Sequence, residues 1–166
     1  MALRNIITKE EKSLRRPSRQ VVKFDDRLHT LLDDMRETLF QANGVGLAAP
    51  QVGVNRRVVI VTDENDEVIE LINPEVISAD GEQEGYEGCL SVPGFYGVVR
   101  RPMNVTVKAQ NRDGNEFTVS GEGLLARAFC HEIDHLDGRL YTDILLGTLI
   151  TAEEMEAMMT EDGDEE

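Results

Sequence analysis

The chain has 166 residues, of which 40% are hydrophobic and 30% charged, a composition typical of one soluble globular domain with a proper core. No apolar run approaches the length of a membrane span, and no apolar signal region stands at the amino terminus. Two cysteines give no case for a disulfide framework. A cytoplasmic protein without membrane attachment is therefore expected, and the net charge of −15 argues against nucleic acid as a direct partner.

The first predicted element is an amphipathic helix over residues 24–43. Apolar side chains recur there at helical spacing, and Asp25 stands where a capping side chain is needed. The apolar positions are Leu28, Leu31, Leu32, Met35 and Leu39.

Two pairs of strands are predicted after this helix. Segments 57–62 and 67–72 flank an acidic turn, and segments 105–110 and 116–120 flank the turn-forming residues 111–114. Both pairs favour antiparallel hairpins. No internal repeat or linker interrupts this order.

A second helix is predicted around His131, Glu132 and His135. Good helix formers precede these residues, and Gly138 stands where a helix should stop. Residues four apart share one helix face, so the two imidazoles can bind one metal ion while the adjacent glutamate reaches a water. This HExxH pattern indicates a metal-dependent hydrolase.

The spacing leaves the third metal ligand to be found, because a catalytic site of this type uses three protein ligands and one open position. Tyr141 stands where a third histidine would follow in metzincins, which excludes that class. A downstream glutamate is a weak alternative, since Glu153, Glu154 and Glu156 lie in a segment with no framework to position a ligand. Cys89 is favoured, because a thiolate is a strong ligand and glycine and proline flank it on both sides.

Three motifs together resemble the peptide deformylase family. They are residues 44–51, 87–93 and 131–135, in that order, and the resemblance spans residues 4–150. It implies that Cys89, His131 and His135 bind one divalent metal ion. Iron(II) is the expected ion, with zinc, nickel or cobalt as substitutes.

The resemblance also implies an activity, the hydrolysis of the formyl group on the amino-terminal methionine of newly made proteins, with release of formate. The metal would lower the pKa of its bound water, and the resulting hydroxide would attack the formyl carbon. Glu132 would take the water's proton and pass it to the leaving amine. Gln51 and the backbone N–H of Leu90 would stabilise the oxyanion.

A substrate cleft follows from the same resemblance. Glycines would let the backbone approach the formyl group closely, apolar residues would form a slot for the methionine side chain, and the peptide would add as a strand. The candidate residues are Gly44, Val45, Gly46, Gly88, Leu124 and Ala128.

The predicted fold class is α+β, and the resemblance implies antiparallel sheets packed around the central HExxH helix. Residues 1–152 are expected to form a single catalytic domain. Residues 153–166 hold eight acidic groups and no basic one, so a partly disordered acidic tail is expected. A monomer that visits ribosomes transiently, without using this tail, is the expected state.

Three rival hypotheses remain open at this point. A peptidase would share HExxH but would cleave an internal amide. A cysteine hydrolase would use Cys89 as nucleophile with a histidine base. A structural metal site would need a fourth ligand, for which Cys130 is the obvious extra thiol; it stands where many deformylases have glutamine.

Overall fold

The computed structural model describes the backbone of residues 2–164 and the side chains of residues 2–160. Three α-helices are present in this part of the chain: α1 (Asp26–Gln41), α2 (Leu124–Leu136) and α3 (Ala152–Asp164). Its strands are β1 (Gly46–Ala48), β2 (Val58–Thr62), β3 (Val68–Asp80), β4 (Gln83–Cys89), β5 (Val92–Arg101), β6 (Asn104–Gln110), β7 (Glu116–Glu122) and β8 (Ile150–Thr151).

The strands form two antiparallel sheets. The larger has the order β1-β2-β3-β6-β7 and the smaller the order β4-β5-β8. The predicted α+β class is confirmed, and so are both predicted hairpins, β2–β3 and β6–β7. The β3–β6 pairing shifts register between Ile72 and Glu75, where Pro74 has no N–H to give to the ladder.

Strand β2 explains why a helix packs on each face of the larger sheet. Its residues alternate between two apolar clusters: Val59 and Val61 belong to the cluster with α2, and Val58 and Ile60 to the cluster with α1. All four are fully buried, which stabilises the fold by about 1.5–3 kcal/mol for each side chain. A strand that is apolar on both faces is typical of a sheet covered on both sides.

Helix α1 begins as the sequence predicts. The carboxylate of Asp25 accepts a hydrogen bond of 3.2 Å from the backbone N–H of Leu28, which caps the first turn. The helix is shorter than the predicted 24–43, since it ends at Gln41 and is followed by Asn43 with a φ of 55°. A left-handed residue of this kind ends a helix.

Residues 4–18 form a segment that we call the amino-terminal strap. Its backbone N–H groups donate to three distant carbonyls: Ile7 to Gln51 at 2.8 Å, Lys9 to Ser91 at 2.9 Å, and Ser18 to Leu136 at 2.7 Å. The strap therefore touches the neighbourhoods of all three motifs.

Helix α3 covers the segment for which an acidic, partly disordered tail is predicted. The side chains of residues 161–166 and the backbone of the last two lie outside the described residues, so the disorder stays a prediction. The single domain over 1–152 also stays a prediction. None of the helices in the described part of the chain is long and apolar enough to cross a membrane.

Candidate active site

Cys89, His131 and His135 meet at the junction of the two sheets. The cysteine ends β4 and the histidines lie one turn apart on α2, and their ligand atoms lie within 4.8 Å of one another. The Sγ of Cys89 is 3.4 Å from the Nε2 of His135. Both histidines are buried and the cysteine is partly exposed. Two imidazoles and a thiol in this arrangement could hold one metal ion.

The orientation of His131 is fixed by Glu87, which also lies on β4. The Nδ1 of the imidazole donates to the carboxylate at 2.8 Å, which leaves Nε2 free to face the cysteine. Arg101 donates to both oxygens of this carboxylate at 2.9 and 3.0 Å, and Arg127 donates to Oε2 at 2.8 Å. Burial alone would raise the pKa of Glu87, but hydrogen bonds from His131 and Arg101 and the charge of Arg101 outweigh it and lower the pKa to about 2.

Glu132 points into a cleft beside these residues. Its side chain is buried, and its Oε1 has no hydrogen-bond partner within the described residues. Burial raises the pKa of this carboxyl to about 7, although the charge of His131 opposes the rise. A carboxyl with such a pKa can both accept and return a proton near neutrality.

Gly46 is needed beside Glu132 for a steric reason. A Cβ at this position would lie 2.6 Å from the Oε2 of Glu132. Gly44 and Gly88 are constrained in the same way, by Leu39 at 2.8 Å and by the ring of Tyr96 at 2.6 Å. The sequence predicts these glycines as points of close approach for substrate, and the structure adds that each accommodates a neighbouring side chain.

Gln51 is held by two hydrogen bonds. Its Oε1 accepts from the backbone N–H of Ala48 at 2.9 Å, and its Nε2 donates to the hydroxyl of Ser91 at 3.1 Å. The same Nε2 lies 3.5 Å from the Sγ of Cys89. These contacts fix the amide with its donor end toward the sulfur. The role of Ser91 is not predicted by the sequence.

The cleft has a volume of about 970 Å³. All six residues predicted to contact substrate line it, together with Gln51, Leu90 and Glu132. Leu124 and Val45 are 82% and 66% exposed and form its rim, whereas Ala128 is buried. Tyr86 and Leu125 also line the cleft and are not predicted by the sequence, because a tyrosine in a strand and a leucine in a helix are ordinary packing residues.

Neither Tyr141, at the position of the metzincin histidine, nor the downstream glutamates belong to the group of donor atoms found among the described residues. Tyr141 stacks on His131 with ring centroids 5.9 Å apart, and its hydroxyl donates to the carbonyl of Phe95 at 3.3 Å. Glu154 accepts from Thr151 at the start of α3.

Cys130 does not join the metal-type group, and packs instead against the apolar cluster under α2. Burial raises the pKa of its thiol to about 11. Cys130 therefore lies in the apolar packing of α2 and does not supply a fourth donor atom to this group.

Sequence reasoning missed the ionic partners of Glu87, which are Arg101 and Arg127, and also Asp134, which accepts from Arg101 at 2.6 Å. One signal was present: Arg127 stands four residues before His131, so the two side chains share one face of the helix.

Known proteins with the same sequence pattern share this architecture. A family model described as polypeptide deformylase matches residues 3–148. The chain belongs to the polypeptide deformylase family. The peptide deformylase of Caldicellulosiruptor bescii is 55% identical over 94% of this chain and 93% of its own length, and that of Acetivibrio thermocellus is 54% identical over 94% and 91%.

A solved structure supports the assignment. The crystal structure of a peptide deformylase from Legionella pneumophila has a TM-score of 0.84 and 47% identity, covering 87% of this chain and 86% of that one. The predicted family membership and enzyme class are confirmed. The chain is thus a peptide deformylase, a metal-dependent hydrolase that removes the formyl group from the amino terminus of nascent peptides.

Proposed function

We propose that Cys89, His131 and His135 hold the catalytic metal ion, with one coordination position open to water and substrate. The single observation that carries this proposal is the approach of these three donor atoms to within 4.8 Å, beside the cleft into which Glu132 points. Borderline divalent ions favour a thiolate and two imidazoles, and iron(II) is the ion proposed, with zinc, nickel or cobalt as substitutes. A bound ion supplies Lewis acidity, which lowers the pKa of water and polarises a carbonyl.

Glu132 is proposed as the general base and acid. Its side chain lines the cleft, its Oε1 has no hydrogen-bond partner within the described residues, and its pKa of about 7 suits a group that takes a proton from water and returns it to the leaving amine. The absence of a side chain at Gly46 leaves room for this carboxylate in its observed position.

Gln51 and the backbone N–H of Leu90 are proposed to stabilise the oxyanion. The amide of Gln51 is preoriented by Ala48 and Ser91, so its donor does not have to reorganise during the reaction. Leu90 directly follows Cys89 and lines the same cleft, which favours its N–H as the second donor.

The methionine side chain of the substrate is proposed to lie against Val45, Leu124 and Ala128. The peptide would pair as an added strand with the backbone at Gly46 and Gly88, and Gly44 lines the cleft beside them. A nascent-chain substrate supports a cytoplasmic location and transient proximity to ribosomes. A monomer is proposed, since the donor atoms and the cleft come from one chain.

The central test is formate release from formyl-Met-Ala-Ser, measured anaerobically with metal analysis of the same sample. Formate is expected, with about one divalent ion per chain, and chelation should abolish turnover. A peptidase would instead cleave an internal amide and leave the formyl group in place. A cysteine hydrolase would be barely affected by the chelator.

Two variants separate the proton shuttle from the metal site. Glu132→Ala should keep the ion and lower turnover by about 10²–10⁴-fold, because only the proton transfer is lost. Cys89→Ala should lose the ion itself. Cys130→Ala is the matched control, since this thiol packs away from the metal-type group and its loss should change neither the ion content nor turnover. Full metal content in Cys89→Ala would overturn the ligand assignment.

A further inference from the structure

Arg101 contacts carboxylates on both of the elements that carry the proposed metal ligands. Its Nε and Nη2 donate to Glu87 at 2.9 and 3.0 Å, and its Nη1 donates to Asp134 at 2.6 Å. Glu87 lies on β4 two residues before Cys89, and Asp134 lies on α2 directly before His135. One guanidinium on β5 therefore connects the strand of the thiolate with the helix of the imidazoles.

This connection is rigid because it is buried and forked. The side chains of Arg101 and Glu87 are 5% and 3% exposed, so water screens their attraction weakly. A guanidinium presents its donors in a fixed plane, and the two-pronged pair with Glu87 fixes direction as well as distance. Glu87 in turn orients His131, because its carboxylate accepts a hydrogen bond of 2.8 Å from the Nδ1 of that imidazole.

We infer that Arg101 is a positioning residue that fixes the distance between β4 and α2, so that the three donor atoms are already arranged for a metal ion. The inference rests on the proposed metal site and adds the residue that preorganises it. Groups that orient metal ligands from behind typically contribute about 10–100-fold in metal affinity.

Two other arginines provide matched controls. Arg127 also donates to Glu87, at 2.8 Å, but its other bonds among the described residues go to groups such as the backbone carbonyls of Gly85 and Val99, and none goes to Asp134. Arg100 precedes Arg101 on the same strand and pairs with Glu84, and both of these side chains are 52% exposed. Among the described residues, the three arginines thus differ in which of the carboxylates of Glu87 and Asp134 they bind. Arg101 binds both, Arg127 binds Glu87 alone, and Arg100 binds neither.

The experiment measures the affinity of the full chain for cobalt(II) and zinc by competition with a chelator, for Arg101→Met, Arg127→Met and Arg100→Met. Arg101→Met should raise the Kd by about 10–100-fold, and Arg100→Met should stay within about twofold of the wild type. Arg127→Met should fall between them, because Arg127 on α2 makes one hydrogen bond to the carboxylate of Glu87, whereas Arg101 makes two to that carboxylate and one to Asp134. The cobalt(II) absorption spectrum should change in Arg101→Met, since it reports the geometry of the ligands.

A second variant guards against misfolding, because Arg101→Met leaves a buried carboxylate with one partner fewer. Asp134→Asn removes only the α2 end of the connection, at a side chain that is 25% exposed. Its Kd should rise about 3–10-fold with a native circular dichroism spectrum, a smaller effect because Glu87 stays paired.

The inference is overturned if Arg101→Met or Asp134→Asn is folded and binds cobalt(II) with the affinity and spectrum of the wild type. An equal loss of affinity in Arg100→Met would also overturn it. In both cases a wild-type enzyme that binds the ion and releases formate leaves the proposed function standing. A wild type that binds no ion overturns the metal proposal and this inference together.

Discussion

Two glutamates of this enzyme are each held by a pair of arginines, one beside the active site and one near the surface. Glu87 is bound by the two arginines described above. Glu70 on β3 accepts from Arg36 at 2.8 Å and from Arg112 at 2.9 and 2.6 Å. Both clusters join a helix to a strand: Arg127 on α2 binds Glu87 on β4, and Arg36 on α1 binds Glu70 on β3. Arg112 lies in the turn between β6 and β7.

The two clusters differ in how far water reaches their cations. Around Glu87 the arginine side chains are 5% and 9% exposed, whereas around Glu70 they are 30% and 42% exposed. Removing the carboxylate partner of a hydrated guanidinium costs little stability, because water replaces the partner. Removing the partner of a buried guanidinium costs much more, because a buried charge is left unpaired. The comparison teaches that one arrangement of charges serves two purposes: near the surface it fastens a helix, and when buried it fixes the direction of His131, a proposed metal ligand.

The largest effect is expected from Glu87→Gln. Two buried guanidiniums would lose their charged partner, which should lower the free energy of unfolding by about 3–5 kcal/mol. Urea unfolding with chelator in every sample measures this change without a contribution from bound metal. A loss below about 1 kcal/mol would mean that burial does not separate the two clusters.

Glu70→Gln is the matched change and should be several times milder. Its arginine partners remain partly hydrated, so the expected loss is about 1 kcal/mol in the same assay. Formate release by this variant should equal that of the wild type, because Glu70 contacts none of the proposed catalytic residues. Equal destabilisation by the two variants would remove the distinction drawn here.

A smaller effect is expected from salt, which should widen the difference in destabilisation between Glu87→Gln and Glu70→Gln. At 1 M salt the screening length is about 3 Å, so exposed charges are largely decoupled while buried pairs are affected less. The penalty of Glu70→Gln should therefore shrink between low and high salt, and that of Glu87→Gln should persist. Repeating both unfolding series in sodium chloride measures the difference.

The smallest effect concerns pH. Burial would raise the pKa of Glu70, but hydrogen bonds from Arg112 and Arg36 and their charges outweigh it, and the pKa is lowered from its usual 4.5. A carboxyl with a lowered pKa in the folded state contributes stability above its unfolded pKa and loses that contribution as the pH falls through the folded value. The gap in Tm between the wild type and Glu70→Gln should narrow as the pH falls below 4.5. A constant or widening gap would contradict this sign.

Local patterns predicted α1, α2 and the two hairpins, but not α3. Helical periodicity placed His131 and His135 on one face of α2, and the polar turns located β2, the first part of β3, β6 and β7. Each of these patterns lies within a few consecutive residues, which is why sequence reasoning can recover them.

Strands β4 and β5 were not predicted, because Gly88, Pro93 and Gly94 interrupt any alternation there. Pairing between β4 and β5, and not local preference, forms these two strands. Cys89 was predicted as the third metal ligand by weighing it against the other candidates and by the family resemblance. Arg101 carried no local sequence signal. Its partners lie 14 and 33 residues away, so only the folded chain reveals them.

The amino-terminal strap ties the timing of folding to the order of synthesis. Ser18 donates its N–H to the carbonyl of Leu136, so this hydrogen bond cannot form before residue 136, at the end of α2, has been synthesised. Until the residues after α2 emerge from the ribosome, Arg15 also lacks a partner, because its guanidinium donates to the carbonyl of Gly138 at 3.4 Å. The strap of an enzyme that serves emerging polypeptides thus completes its own hydrogen bonds only after residue 136 has been synthesised.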